Sequence, residues 1–244
     1  PVKECALKHN IPVFQPEKVR KETDEILKCN PDIIITCAYG QIIPSVLLDT
    51  PKYKAVNVHA SLLPKLRGGS PLHRCIIDGY SETGVTIMYM APGMDDGDII
   101  TQKSIKIEDT DNVGTIHDKL SIIGRDLLLE TLPSIFNGTN GRTRQDENEV
   151  TFAYNIKREE EKLDFNEKAR EVFNHIRGMY PFPVSYTTLN GEIIKICESK
   201  IGTKTSGTVG EIISIYDNGI GVKCSDTEII ITKLKPSGKK EMMA

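Results

Sequence analysis

The stretch Ala55-Val56-Asn57-Val58-His59-Ala60-Ser61-Leu62-Leu63-Pro64-Lys65-Leu66-Arg67-Gly68-Gly69-Ser70-Pro71 marks where a sheet ends and a loop begins. Its first half alternates. Val56 and Val58 fall on one face of an extended strand and Asn57 and His59 on the other, because successive strand side chains point to opposite faces. A carboxamide and an imidazole therefore face the same way. Pro64 and the Gly68-Gly69 pair end the strand, leaving Asn57 and His59 at its C-terminal end beside a loop that carries Lys65 and Arg67. In an open parallel sheet that end is where ligands bind. Two readings of the pair stay open. It either caps a loop, or it sets an amide that can hydrogen-bond a developing oxyanion beside an imidazole that can move a proton near neutral pH. The second set suits passing an acyl-like group to an amine.

The chain has 244 residues, 39% hydrophobic and 27% charged. That balance belongs to a globular protein large enough for one large or two moderate domains. A formal charge of -3 excludes a generally basic nucleic-acid binder but leaves room for a local patch. Cysteines at 5, 29, 37, 75, 197 and 224 show no C-x-x-C spacing, and Cys37 and Cys197 lie in apolar runs. The expectation is buried free thiols in a reducing compartment, the cytoplasm. His9, His59, His73, His117 and His175 form no ligand-spaced cluster, so no metal is expected. No membrane span and no signal peptide are expected either.

Upstream, residues 2–10 and 22–29 read as helices, and Pro31 to Ala38 as a strand without polar alternation, which predicts burial on both faces of a parallel sheet. The turn Ala38-Tyr39-Gly40-Gln41-Ile42-Ile43-Pro44 and a helix-like segment to Leu48 then lead into the Asn57 strand as a crossover unit. Downstream, Ser70 and Pro71 open a helix that Gly79 ends. Arg67 and that helix start read either as an anion-attracting mouth or as a solvated charge beside a turn. Gly84 to Met90 alternates as the next strand. It runs into Ala91-Pro92-Gly93-Met94-Asp95-Asp96-Gly97-Asp98, which lacks the ligand spacing of an EF-hand. Asp98 reads as a turn former. Val113 to Asn137 is a long amphipathic helix with a core stripe of Ile116, Leu120, Ile123, Leu127 and Leu128.

Residues 137–148 are polar, glycine-containing and aperiodic, as a linker would be, within a connection bounded at 139–157. Lys157 to Lys162 is a charge run that reads as a solvated helix start, and residues 166–178 as a helix with Ala169, Val172, Phe173 and Ile176 on one side. Beyond Val184 short strands alternate with turns, and Asn190-Gly191 and Asn218-Gly219 are hairpin signals. That spacing predicts a small open β-barrel of the oligonucleotide-binding kind. Lys233, Lys235, Lys239 and Lys240 are either solubilising or phosphate-contacting.

The run from Asn57 to Pro71, followed by Thr83-Gly84-Val85-Thr86-Ile87-Met88-Tyr89-Met90-Ala91-Pro92-Gly93-Met94-Asp95-Asp96-Gly97-Asp98-Ile99-Ile100, resembles the signature of the folate-dependent formyltransferases. Within them it is most similar to the branch acting on charged initiator tRNA. The resemblance spans nearly the whole chain and is least specific over the C-terminal strands. It implies Asn57, His59 and Asp95 as the catalytic set, with Asp95 holding His59 or an ordered water. It implies Tyr39, Gly40, Ile42 and Ile43 as contacts to the folate ring, with Ser61, Leu62, Leu63, Pro64 and Met90 completing that pocket. Lys65, Arg67, Arg177, Lys233 and Lys235 are implied as substrate contacts. The co-substrate implied is 10-formyltetrahydrofolate with no metal, and the partner is initiator methionyl-tRNA bound by a monomer. Leu66 stands where the family often has an aromatic, and Ala60 where it often has glycine.

The fold expected is therefore α/β: a Rossmann-like, mostly parallel formyltransferase domain over residues 1–138, a linker over 139–157 and an OB-like β-barrel domain over 158–244. By the same resemblance the chain is expected to lack the family's first strands and to stop short of a final helix after Gly238-Lys239-Lys240-Glu241-Met242-Met243-Ala244. Rival expectations are a sibling formyltransferase acting on a nucleotide sugar or purine precursor, and an inactive folate- or RNA-binding fragment.

Overall fold

Strand β2 (Ala55–His59) lies inside a four-stranded sheet of order β1-β2-β3-β4 in a computed structural model that describes residues 2–244, with Pro1 outside them. β1 (Ile34–Cys37) runs parallel to β2, pairing Thr36 with Asn57. β3 (Glu82–Tyr89) runs antiparallel to β2, pairing His59 with Thr86. β4 (Ile99–Lys106) pairs antiparallel with β3 along its length. Ahead of β1 come α1 (Val2–Lys8) and α2 (Asp24–Lys28); α3 (Ser45–Asp49) makes the crossover from β1 to β2, and α4 (Pro71–Ile77) follows β2. α5 (Val113–Asn137) covers β3 and β4.

Helix α5 begins where Asn112 accepts from the Thr115 N–H while Thr115 Oγ1 accepts from the Asn112 N–H, a reciprocal cap that satisfies two orphan donors. It ends at Gly138, whose φ of 69° is a left-handed cap that glycine adopts without strain. Gly124 lets the helix approach closely, since a methyl there would lie 3.1 Å from Val58 Cγ1. Ile116, Leu120 and Leu127 pack with Leu66, Cys75, Ile76, Val85 and Ile87 into one core; Ile123 and Leu128 lie at its margin. Each such side chain contributes about 1.5–3 kcal/mol when fully buried.

Three expectations change. Strand β1 is not buried on both faces among the described residues: Ile35 and Cys37 are exposed, while Thr36 is buried. Cys5 and Cys29 are exposed as well, so only Cys75, Cys197 and Cys224 are buried thiols. Within the charge run, Glu160 pairs with Arg74 on α4 and Glu161 is buried against Arg158, so the segment is a clamp rather than a solvated helix start.

The C-terminal strands are β5 (Tyr186–Leu189), β6 (Glu192–Ile201), β7 (Ile212–Tyr216), β8 (Gly219–Lys223), β9 (Glu228–Pro236) and β10 (Met242–Met243). They form one antiparallel sheet of order β5-β6-β9-β8-β7, with β10 on β9. Asn190 and Gly191 both take positive φ, 51° and 85°, as a two-residue hairpin with the strands' own twist requires. Helix α6 (Ala169–Met179) lays Ala169, Val172 and Ile176 against Ile196, Val222, Ile229 and Ile231 of the sheet. Glu228 is a fully buried carboxylate in this layer. It accepts from Ser214 and Tyr216 hydroxyls and from the Lys204 N–H, and these bonds hold it below the usual carboxylate range despite the cost of burial. Gly202 and Gly221 leave the space it occupies.

The two domains meet along α4 and α6. His73 Nδ1–H donates to Gly178 O at 2.9 Å and His175 Nε2–H to Glu160 O at 2.8 Å; a carbonyl only accepts, so each ring nitrogen carries the proton. Burial pushes both imidazoles below their ordinary value. Residues 139–157 do not hang free. Thr143 bridges Ile99 antiparallel and Phe152 bridges Arg67 in parallel, so the connection is stitched onto the four-stranded sheet and the loop after β2.

Candidate active site

At the end of β2, Asn57 Oδ1 accepts from Thr36 Oγ1 at 2.9 Å on the neighbouring strand, and no other partner of the amide is present among the described residues. The amide nitrogen is left to donate to a ligand. His59 is 5% exposed. Its Nε2 lies 3.1 Å from Leu66 O, which can only accept, so Nε2 carries the proton and Nδ1 is the nitrogen with a lone pair. Nδ1 faces Asp95 Oδ2 at 3.7 Å. The same carboxylate oxygen accepts from the Gly68 N–H at 2.9 Å, which fixes its position beside the imidazole.

Asp95 has φ 49°, a left-handed conformation that costs about 1–2 kcal/mol for a residue with a Cβ. The loop around it explains how that is sustained. Tyr89 N–H donates to Asp98 O, closing the turn, and Gly97 passes so near Tyr89 O that a methyl would lie 1.9 Å from it. From the connecting segment, Gln145 Nε2 donates to Asp95 O at 2.7 Å and to Gly97 O at 2.8 Å. Asp98, expected only to turn the chain, also pairs with Arg142 at 3.0 Å.

The implied folate contacts fall in two groups. Ser61, Leu62, Leu63 and Pro64 are knitted to the sheet: Ser61 Oγ donates to Lys65 O, Thr86 Oγ1 to Ser61 O, the Leu63 N–H to Thr86 Oγ1 and Gln102 Nε2 to Leu63 O. Tyr39, Gly40 and Ile42 are exposed, Ile42 at 80%, with Ile43 partly covered, so this turn presents apolar surface beyond the end of β1. Met90 Sδ lies 3.2 Å from Thr36 Oγ1, next to the Asn57 amide.

The implied substrate contacts separate more sharply. Lys65 and Lys235 are exposed with no side-chain partner among the described residues. Arg67 is not a free loop charge or part of an anion mouth. It is 4% exposed, donating from Nε to Gln145 Oε1 at 3.0 Å and pairing with Glu147 at 2.9 Å. Arg177 donates to the Glu108 and Asp111 carbonyls at 2.9 and 3.1 Å and to Asn174, so it fastens α6 to the segment between β4 and α5. Lys233 lies between Glu198 and Glu241, which raise its pKa. Thr36 and Gln145 escaped the sequence reading, because a threonine in an apolar strand and a glutamine in a polar connection carry no local mark of their partners.

The site thus offers an oriented amide donor and an imidazole with one free nitrogen facing a carboxylate. It can stabilise an oxyanion, accept a proton at Nδ1 and hold the resulting positive charge. Among the described residues no group of three or more His, Cys, Asp and Glu side chains is placed to hold a metal ion, and no helix is long and apolar enough to cross a membrane.

Comparison with known proteins gives the geometry a context. The Formyl transferase profile matches residues 1–132 and the Formyl transferase, C-terminal domain profile residues 155–244. A methionyl-tRNA formyltransferase from Bacillus subtilis is 51% identical over 99% of this chain and 78% of its own length. One from Staphylococcus aureus strain MW2 is 50% identical over 100% and 80%. Among solved structures, an N-formyltransferase from Helicobacter canadensis in complex with folinic acid and dTDP-3-aminofucose superposes with a TM-score of 0.68 at 21% identity, over 93% of this chain and 80% of that one, which shows a shared fold. With both of its domains matched and half of its residues shared with such relatives along almost the entire length, the chain belongs to the formyl transferase family.

Proposed function

We propose that this chain transfers the formyl group of 10-formyltetrahydrofolate to the α-amine of methionyl-initiator-tRNA, for translation initiation. The observation that carries this is identity of about half of all residues, over nearly the full chain, with methionyl-tRNA formyltransferases. The methionyl amine attacks the formyl carbon, a C–N bond forms, the bond from that carbon to folate N10 breaks, and the proton lost by the amine ends on N10. Asn57 Nδ2–H donates to the formyl oxygen as charge develops on it, an interaction stronger in the transition state than in the ground state. His59 takes up the proton at Nδ1, and Asp95 at 3.7 Å stabilises the imidazolium that results. The apolar turn at Tyr39, Gly40, Ile42 and Ile43, with Ser61, Leu62, Leu63, Pro64 and Met90, receives the folate ring. Lys65 and Lys235 are the exposed cations available to the tRNA acceptor arm, with residues 158–244 as the RNA-facing domain. The enzyme works in the cytoplasm as a monomer.

The test offers charged initiator tRNA, glycinamide ribonucleotide and an amino-sugar nucleotide in parallel with 10-formyltetrahydrofolate, with His59→Ala as control. Formylation of the tRNA alone, lost in the control, is expected. Transfer to either small acceptor would replace this reading by a sibling activity.

A further inference from the structure

Gln145 belongs to the connection between the domains, 50 residues from Asp95 in sequence, yet it is 4% exposed and its amide is fully engaged at the catalytic loop. Its two N–H groups donate to Asp95 O at 2.7 Å and Gly97 O at 2.8 Å; its Oε1 accepts from Arg67 Nε at 3.0 Å. Two partners that can only accept and one that can only donate leave a single orientation for the amide. The two carbonyls flank Asp96 and belong to a turn whose first residue is held at φ 49°, a conformation that persists only when its surroundings over-determine it. Arg67, which binds Gln145, is itself fixed by Glu147 and by main-chain bonds from its N–H to Thr151 O and from the Ala153 N–H to its carbonyl. The catalytic loop is therefore held on its main-chain side by a segment outside the fold of the sheet.

We propose that Gln145 is a positioning residue of the transfer reaction: it sets the main chain of the Asp95 loop, and through it the placement of the Asp95 carboxylate against His59. This rests on the roles given above to Asp95 and His59. Arg67 acts here as the anchor of Gln145, not as a contact to substrate.

The test measures steady-state formyl transfer with folate varied at saturating charged tRNA for wild type, Gln145→Ala, Gln145→Glu, Asp95→Asn and the double variant Gln145→Glu/Asp95→Asn. Gln145→Glu keeps the volume and the acceptor for Arg67 but loses the two donors to Asp95 and Gly97, so it reports even if the alanine variant folds poorly. The expected result is a fall in kcat of about 10- to 100-fold for both Gln145 variants, with KM for folate within about threefold. The double variant should be no slower than Asp95→Asn alone, because groups acting as a unit are not additive. A Gln145→Glu enzyme within about twofold of wild type would overturn the proposal, as would losses that multiply in the double variant, the mark of a general structural role. An Asp95→Asn enzyme as fast as wild type would instead overturn the catalytic reading on which the proposal stands.

Discussion

Replacing Gly97 by alanine puts a methyl 1.9 Å from Tyr89 O. Ordinary C···O contacts begin near about 3.3 Å, so one of the two backbones must move by about 1.4 Å. Tyr89 cannot yield easily, since it ends β3, is in register with Val56 and donates its N–H to Asp98 O. The displacement falls on the loop, two residues from Asp95. A misplacement of about 1 Å at a reacting group costs on the order of 100-fold in rate, or about 2.7 kcal/mol of activation free energy. Overpacking costs about 1–3 kcal/mol of stability besides. The assay is single-turnover formyl transfer to charged initiator tRNA at saturating folate, alongside a thermal melt. Gly141→Ala serves as control because the nearest atom to its added methyl is 4.0 Å away. A Gly97→Ala enzyme that transfers within threefold of wild type at an unchanged Tm would refute the claim that this close approach fixes Asp95.

Removing Arg177 with alanine is expected to cost about 1–3 kcal/mol of stability through the Glu108 and Asp111 carbonyls it satisfies, with KM for tRNA unchanged; a raised KM at constant Tm would mean that it touches RNA instead. His73 and His175 are held below the ordinary 6.5 in the folded chain, so the unfolded chain binds their protons first. Their contribution to stability is complete above that pH and is lost as pH falls from there through the lowered folded values. A Tm profile should show this step, and a His73→Gln/His175→Gln variant with the same step would contradict it. In a thiol titration of the native chain Cys5, Cys29 and Cys37 should react quickly. Cys75, Cys197 and Cys224, whose pKa values burial pushes up to about 11, should react only on unfolding.

What the sequence made legible was local. The alternation from Ala55 to His59, the boundaries of α5 and the Asn190-Gly191 hairpin follow from side-chain periodicity and backbone preference, which act over a few residues. The short strands expected beyond Val184 are present as β5–β9 for the same reason. What was illegible was the partner of each charged or polar side chain. Arg67 meets Glu147 80 residues away, Arg177 meets Glu108 across 69, and Lys233 meets Glu198 across 35. A lone arginine beside a glycine loop looks free to bind phosphate until the fold brings up a carboxylate. The burial of β1 was misread because a strand's hydrophobicity does not tell what packs over each of its faces.

The buried carboxylate of Glu228 bears on how this domain can evolve. The three atoms nearest to a side chain added at Gly202 all belong to Glu228, at 2.3 to 2.7 Å, whereas one at Gly221 would also strike Ser214. The effect of mutating residue 202 thus depends on what stands at 228: harmful while the glutamate is present, tolerable once a smaller residue has replaced it. Substitutions at the pair must occur in one order, and after the second has occurred the first can no longer revert. Position 202 then works as a ratchet, and lineages that pass it lose access to the ancestral hydrogen-bonded core by any single step.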